Sequence, residues 1–432
     1  GLAMAPYVER ELLGKKRLRA PGAASASYEN LLALDGDGGR DAGASTPTKA
    51  DDAEAGKDDD DALATLPRVL LLHCGGTLGM GVESCEARDV GVVASPSRPG
   101  YRPLAASKYL LDVLKCIPEL AAFARMRCEV LFNKDSTEMT PDDWIMIARR
   151  LHARRESYDA FIIAHGTDTM AYTASALSLM LGAGFGKPVV LTGSQLPLAM
   201  ARSDARQNVI DALTCCVASV TCGGAIDFRE VAVCFGGKLL RGNRVRKQSA
   251  TIYAAFESPG FAPLAKLGVG VEWNERNLLK TEGVEYEPKF TMNTNVIRVP
   301  IVPGVNAHQA YGDLYGRGVR GIILEAFGVG NFPAAWLEFL TEQAERGLRI
   351  YLSTQCESGD LHPELYASGQ GALNLGAKSG PLMTPECAVV KMMLALEHES
   401  VDLKTTVVGE AYMPYKRTSP PTDTCISAHL LK

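Results

Sequence analysis

The residues of this chain whose types could do chemistry follow apolar runs. In HCGGTLGM, His73 to Met80, two glycines precede Thr77. Gly75 and Gly76 would let the chain turn sharply and present backbone N–H groups beside the hydroxyl, an arrangement suited to a nucleophile or to an oxyanion. In AHGTDT, Ala164 to Thr169, Thr167 and Asp168 set a hydroxyl next to a carboxylate. FNKDSTEMTPDDW supplies Asp135, Ser136 and Thr137, and KLLRGNRVRK carries five cations, Lys238, Arg241, Arg244, Arg246 and Lys247. A threonine hydroxyl is a poor nucleophile near neutral pH, and Lys247 and Tyr101 are the candidates to activate one. Taken singly, each pattern also has an ordinary reading. The double glycine is a strand-to-loop turn, Thr167 with Asp168 a helix cap, Asp135 to Thr137 a loop, and the cations a solvated turn.

Other chemistries lack their residues. GGTLGMG does not keep the G-x-G-x-x-G register, H-E-x-x-H is absent, and His73 with Cys74 has no further ligands at finger-like spacing. Neither a G-x-S-x-G elbow nor a G-x-x-x-x-G-K-[ST] phosphate loop occurs. With 45 Lys and Arg against 50 Asp and Glu, the net charge of -5 implies neither a nucleic-acid nor a membrane partner. The 11 cysteines are scattered, without a C-x-x-C pair, and read as reduced, mostly buried thiols. No apolar run approaches the roughly 18 residues of a membrane span, and no secretory leader is legible, so a cytoplasmic location is expected.

The elements that must position these residues alternate. RVLLLHCGGT, YDAFIIAHGTDT, KPVVLTGSQLP and FREVAVCFGG read as buried strands, separated by helical stretches such as TPDDWIMIARRLHARR, with Thr140 as cap and Pro141 first, and SDARQNVIDALTCC. Such alternation indicates an α/β fold: a larger N-terminal parallel or mixed sheet flanked by helices, then a smaller C-terminal α/β domain built on VIRVPIVPG, VRGIILEAF and LRIYLSTQC. At 432 residues the chain can bury about three quarters of its unfolded surface, enough for two domains. The expected division is a disordered acidic low-complexity extension over 1–66, a catalytic domain over 67–257, a linker over 258–294 and the smaller domain over 295–432. Ligands in open α/β sheets bind at the carboxyl ends of the strands, where GGT and HGTDT fall.

Over about 67–397 the chain resembles the L-asparaginase family, specifically its cytoplasmic, bacterial type I branch. GGTLGM, LFNKDSTEMTPDDW, HGTDTMAYTASALSLML, GKPVVLTGSQLPLAMARSDARQN, LLRGNR, FGVGN and STQC occur in order. The resemblance implies hydrolysis of the L-asparagine side-chain amide to L-aspartate and ammonia, without metal or cofactor. It implies Thr77 as the primary nucleophile, Tyr101 on a mobile lid over about Gly79 to Pro103, and Thr167, Asp168 and Lys247 as a second group that relays a proton or steers water. Asp135 and Ser136 match the substrate-binding pair, Ala164 and Gly166 would offer backbone hydrogen bonds, and Gly76 and Thr167 N–H groups are oxyanion candidates. Gln195, in TGSQ, is expected to support rather than react. A homodimer or homotetramer is implied.

Two positions depart from the pattern. Members that respond allosterically to asparagine typically carry Thr before the lysine and Arg in the strand preceding GVGN, where this chain has Arg246 and Glu325. The alternatives are an amidase subunit of a tRNA-dependent amidotransferase, whose members carry a further β-rich domain that residues 1–66 do not resemble, and a non-catalytic amino-acid sensor. Minor glutaminase activity is compatible with the same site, because one methylene changes discrimination by only about 1–3 kcal/mol.

Overall fold

The run RVLLLHCG forms the first strand, with every residue after Arg68 buried. A strand apolar on both faces belongs in the middle of a sheet that is covered on each side. The computed structural model describes residues 65–76, 80–81, 102–103, 117–198, 200–221 and 226–411. Thr77, Tyr101, most of the expected lid and nearly all of the expected extension lie outside them.

In chain order the strands of the first half are β1 (Arg68–Gly75), β2 (Met80–Gly81), β3 (Arg102–Pro103), β4 (Arg125–Lys134), β5 (Ala160–Ala164), β6 (Val189–Thr192) and β7 (Val231–Phe235). They are followed by β8 (Lys238–Arg241), β9 (Arg246–Lys247), β10 (Phe256–Glu257), β11 (Ala265–Leu267) and β12 (Val271–Trp273). Eight of these make one sheet in the order β12-β11-β8-β7-β6-β5-β1-β4. β4, β1, β5, β6 and β7 are parallel, while β8, β11 and β12 each run antiparallel to the strand before them in the sheet. The larger sheet is therefore mixed. β11 and β12 come from the stretch expected to be a linker, because LGVGVEW is a glycine-turned hairpin too short to show a clear strand period.

Side chains alternate across this sheet, as the pleat requires. Leu70, Leu72, Phe161 and Ile163 pack on one side with α1 (Pro141–Arg154) and α2 (Met170–Leu181). Val69, Leu71 and Ile162 pack on the other with α3 (Ala205–Thr221). Leu70 and Leu72 are fully buried, and each such side chain stabilises the fold by about 1.5–3 kcal/mol. α2 is buried almost all round, which its Ala- and Ser-rich sequence permits by allowing close approach.

The second half forms a four-stranded parallel sheet, β13 (Val296–Pro300), β14 (Gly321–Ala326), β15 (Arg349–Thr354) and β16 (Lys378–Ser379), in that order. Its helices are α4 (Ala307–Tyr311), α5 (Ala335–Glu345), α6 (Ala367–Asn374) and α7 (Pro385–Ala395). Trp336 and Phe339 of α5 cover one face with Val299, Ile322 and Leu324. α7 packs from the other face into the same core as α2, so one apolar cluster joins the two α/β units. Among the described residues no helix is long and apolar enough to cross a membrane.

Candidate active site

β1 is flanked by β4 on one side and β5 on the other, so the strand order reverses there, the place in an open α/β sheet where ligands bind at the carboxyl ends of the strands. Glycine is required at that end. Gly75 has φ +104° and Gly76 φ +89°, and a Cβ on them would lie 2.0 Å from Lys134 O and 2.4 Å from Gly166 N respectively. The residue immediately before Thr77 is thus pressed against the turn that carries Thr167. β2 and β3 pair antiparallel, Met80 with Pro103 and Gly81 with Arg102, which brings together the two ends of the segment containing Tyr101.

Lys247 reaches the end of β5 from β9. Its Nζ donates to Thr167 Oγ1 at 2.8 Å and to Asp168 Oδ1 at 2.6 Å. The amine joins a nearly buried hydroxyl, Thr167 being 8% exposed, to an exposed carboxylate. The pairing of Thr167 with Asp168 as a helix cap is not what is seen: α2 begins after Thr169, with no side-chain cap bond, and Thr169 Oγ1 instead donates to Ser136 O at 2.7 Å. That bond joins the HGTDT turn to the end of β4. Ser136 is buried, with its Oγ 2.6 Å from where a Gly166 Cβ would stand. The carboxylate of Asp135 caps its own turn, accepting from Thr137 N and Thr137 Oγ1, both at 2.9 Å.

Among the sequence-expected residues, Gly76, Ser136, Gly166, Thr167, Asp168 and Lys247 are therefore brought together. Ala164 lies fully buried within the sheet, paired with His73 and Thr192, so only its backbone faces the strand end. The Gly76 N–H, a candidate oxyanion donor, is engaged with Lys134 O at 3.2 Å. Gln195 stands beside the Thr167 hydroxyl. Its Nε2 donates to Ile252 O at 3.0 Å, and its Oε1 lies 3.5 Å from Thr167 Oγ1.

Behind these groups stand residues that sequence reasoning did not single out. Asp204 accepts from the N–H groups of Gln195 and Leu196, and Asn208 bridges Gly193 O and Asp204 Oδ2, both at 3.0 Å. The signal was present in the ARSDARQN that follows TGSQ, where Asp204 and Asn208 stand four apart at the start of a helix. His165 is fully buried, its ring bonded to Gly166 O at 2.7 Å and Thr173 Oγ1 at 2.9 Å. Burial pulls its pKa down to about 4, and burial likewise pulls His73, at the end of β1, to about 4. Burial pushes the Asp143 carboxyl up, yet hydrogen bonds from Lys134 and Thr140 hold it below the usual range, and it anchors the start of α1 beside the end of β4.

A second concavity of about 380 Å³ lies where the two α/β units meet, lined by Arg246, Arg298, Glu325, Gln355 and Cys356 among others. Both departures from the family pattern line it. Arg298 binds Glu325 at 2.5 and 3.1 Å, and Arg246 faces Glu386 at 3.4 Å and Glu357 at 3.6 Å. Among the described residues no three His, Cys, Asp or Glu side chains gather as a metal site.

Comparison with known proteins agrees with this architecture. The family model for the asparaginase N-terminal domain matches residues 68–279, and that for the glutaminase/asparaginase C-terminal domain matches 295–406. L-asparaginase 1 of Escherichia coli strain K12 is 36% identical over 340 residues, spanning 77% of this chain and 92% of its own. A glutamyl-tRNA(Gln) amidotransferase component of Pyrococcus abyssi is 31% identical over 343 residues, spanning 77% and 73%. The crystal structure of L-asparaginase I from Vibrio cholerae superposes with a TM-score of 0.68 at 31% identity, covering 81% of this chain and all of that one. Two family models in succession on a mixed sheet and a smaller parallel one, with relatives above 30% identity over three quarters of the sequence, make this chain a member of the asparaginase family, type I branch.

Proposed function

We propose that this protein hydrolyses the side-chain amide of free L-asparagine to L-aspartate and ammonia, using Thr77 as nucleophile. The observation that carries the reading is the hydroxyl–amine–carboxylate group of Thr167, Lys247 and Asp168, with contacts of 2.8 and 2.6 Å at the carboxyl end of β5. In its neutral form, an amine placed between a hydroxyl and a carboxylate can take the hydroxyl's proton on its lone pair and pass it on, which is the assistance threonine chemistry needs. Thr77 follows Gly76, and Gly76 packs against Gly166, so the two hydroxyl-bearing turns meet at the strand ends. Asp135 and Ser136 bind the amino-acid backbone, Asp168 meets its ammonium, and Gly166 and Ala164 offer main-chain groups to the amide. Tyr101, between β2 and β3 in the sequence, helps to orient or deprotonate the Thr77 hydroxyl.

The larger unit, over 67–257 with the hairpin that follows it, carries the chemistry. The protein acts in the cytoplasm as a homodimer or homotetramer. Free asparagine is preferred to a tRNA-bound substrate because the match spans 92% of the Escherichia coli enzyme but 73% of the amidotransferase component. A non-catalytic sensor would have no use for the Lys247 group. Ammonia release, measured for asparagine and glutamine over a concentration series with native and Thr77→Ala protein, tests the reading. Turnover of asparagine, lost in a Thr77→Ala protein that melts normally, is expected. Native protein inert toward both amides, or a Thr77→Ala protein of comparable activity, would overturn it.

A further inference from the structure

Lys391 sits in the middle of α7, surrounded by apolar residues and fully buried. Its Nζ meets Glu410 Oε1 at 2.7 Å and also donates to Thr405 O. The side chain of Glu410 is equally buried and folds back on its own turn, accepting from Val407 N at 2.8 Å, Val408 N at 2.7 Å and Thr406 Oγ1 at 3.2 Å. Burial pushes this carboxyl up, but Lys391 and the turn amides hold it below the usual range. A buried ion pair is weak evidence for stability, since desolvation offsets most of the attraction and apolar side chains of similar volume often serve as well. What such a pair does well is fix one conformation.

The conformation it fixes has three outward carbonyls in a row. Val408 O accepts from Asn243 Nδ2 at 3.0 Å, Gly409 O from Arg241 at 3.3 Å, and Glu410 O from Arg244 at 2.9 Å. These three donors are all buried and belong to the RGNR turn, three residues before Lys247. Lys247 itself stands on a two-residue strand whose pairing is with the equally short β10. A two-residue strand supplies little rigidity of its own, and the RGNR turn stands immediately before it. Val407 to Glu410 also lie beyond residue 406, where the C-terminal family match stops.

We propose that the Thr405–Glu410 turn, locked by the buried Lys391–Glu410 pair, is the element that positions Lys247, making Lys391 and Glu410 positioning residues of the reaction. The inference rests on the role assigned to Lys247 above. Its test compares the full chain with Glu410→Gln and with the volume-matched double variant Lys391→Met/Glu410→Leu, by hydrogen exchange, melting and steady-state kinetics. The double variant is expected to melt cooperatively and to exchange faster over residues 241–248 while β5 and β6 keep their protection. Its kcat for asparagine falls on the order of tenfold to a hundredfold, the effect of a small misplacement of a working group. KM stays within a factor of about two, and Glu410→Gln, which retains an acceptor for the turn amides, lies between the two. Unchanged exchange over 241–248, or faster exchange with kcat retained, overturns the proposal, as does a lower melting temperature with normal turnover in the folded fraction. Should the double variant fail to fold, Glu410→Gln carries the same readouts. Should the native chain release no ammonia, the functional reading fails, and exchange over 241–248 alone decides whether this turn holds Lys247.

Discussion

At the scale of single residues, two kinds of group around the strand ends should behave in opposite ways. Lys247 bonds to a hydroxyl and to a carboxylate that is 59% exposed. A pair of that exposure contributes about 0–1 kcal/mol, so Lys247→Met is expected to leave the melting temperature nearly unchanged. Its kcat should fall about 10²–10⁴-fold, the usual value of a positioned proton carrier. Parallel rates and melts would separate the two effects, and a variant with native kcat would remove Lys247 from the chemistry. His73 and His165 behave the other way, as stability groups. Burial holds both near pKa 4 from an ordinary 6.5, so the unfolded chain binds more protons in between. Stability therefore falls as pH drops from 6.5 toward 4, by about 1.5 kcal/mol per histidine between pH 6.5 and 5. Carboxylates held low, such as Asp143 and Glu410, withdraw their contribution only at lower pH. A urea midpoint that stays level between pH 7 and 5 would contradict this account.

At the scale of elements, the ends of β1, β4 and β5 make the site, and the double glycine is what lets them close on one another. Gly76→Ala places a methyl 2.4 Å from a backbone nitrogen at φ +89°. A left-handed alanine alone costs about 1–3 kcal/mol, and the overlap adds to it because backbone cannot rotate away as a side chain can. We expect a lower urea midpoint together with lost turnover, and native values of both would show that the strand ends have slack. The strands that end at Gly75 and at Ala164 were legible from apolar runs ending in small residues, because a doubly covered strand advertises itself by having no polar face. The meeting of Lys247 with Thr167 was not, since about 80 residues separate them and only the resemblance paired them. β11 and β12 were unreadable for the opposite reason, being three residues each and turned by GVG. The Thr405–Glu410 turn was also missed. Its one signal was Lys391, a lone cation inside PECAVVKMMLALEH, which on a helix buried all round demands a buried partner.

At the scale of the whole molecule, charge is distributed by segment. Residues 1–66 hold 8 Lys and Arg against 13 Asp and Glu, a balance of -5 that equals the net charge of the entire chain. The rest is neutral overall, so its electrostatics are local, and the concavity between the two α/β units shows how local. Glu325 is buried at its side chain and takes both arms of Arg298, while Arg246 is shared between Glu386 and Glu357. Charges that satisfy one another inside the protein leave a zwitterionic amino acid little to gain there, because any ion pair it makes must break one already made. A ligand shifts an equilibrium only by its differential affinity for the two states, and a cavity whose charges are already matched offers little of it. Asparagine saturation is therefore expected to be hyperbolic, with a Hill coefficient of about 1. Glu325→Arg should change that cavity without touching the Lys247 group, and so leave kcat near native. A steep sigmoid in the native protein that disappears on substitution of Glu325 would mean instead that the matched charges open for a ligand, and that the two α/β units communicate through them.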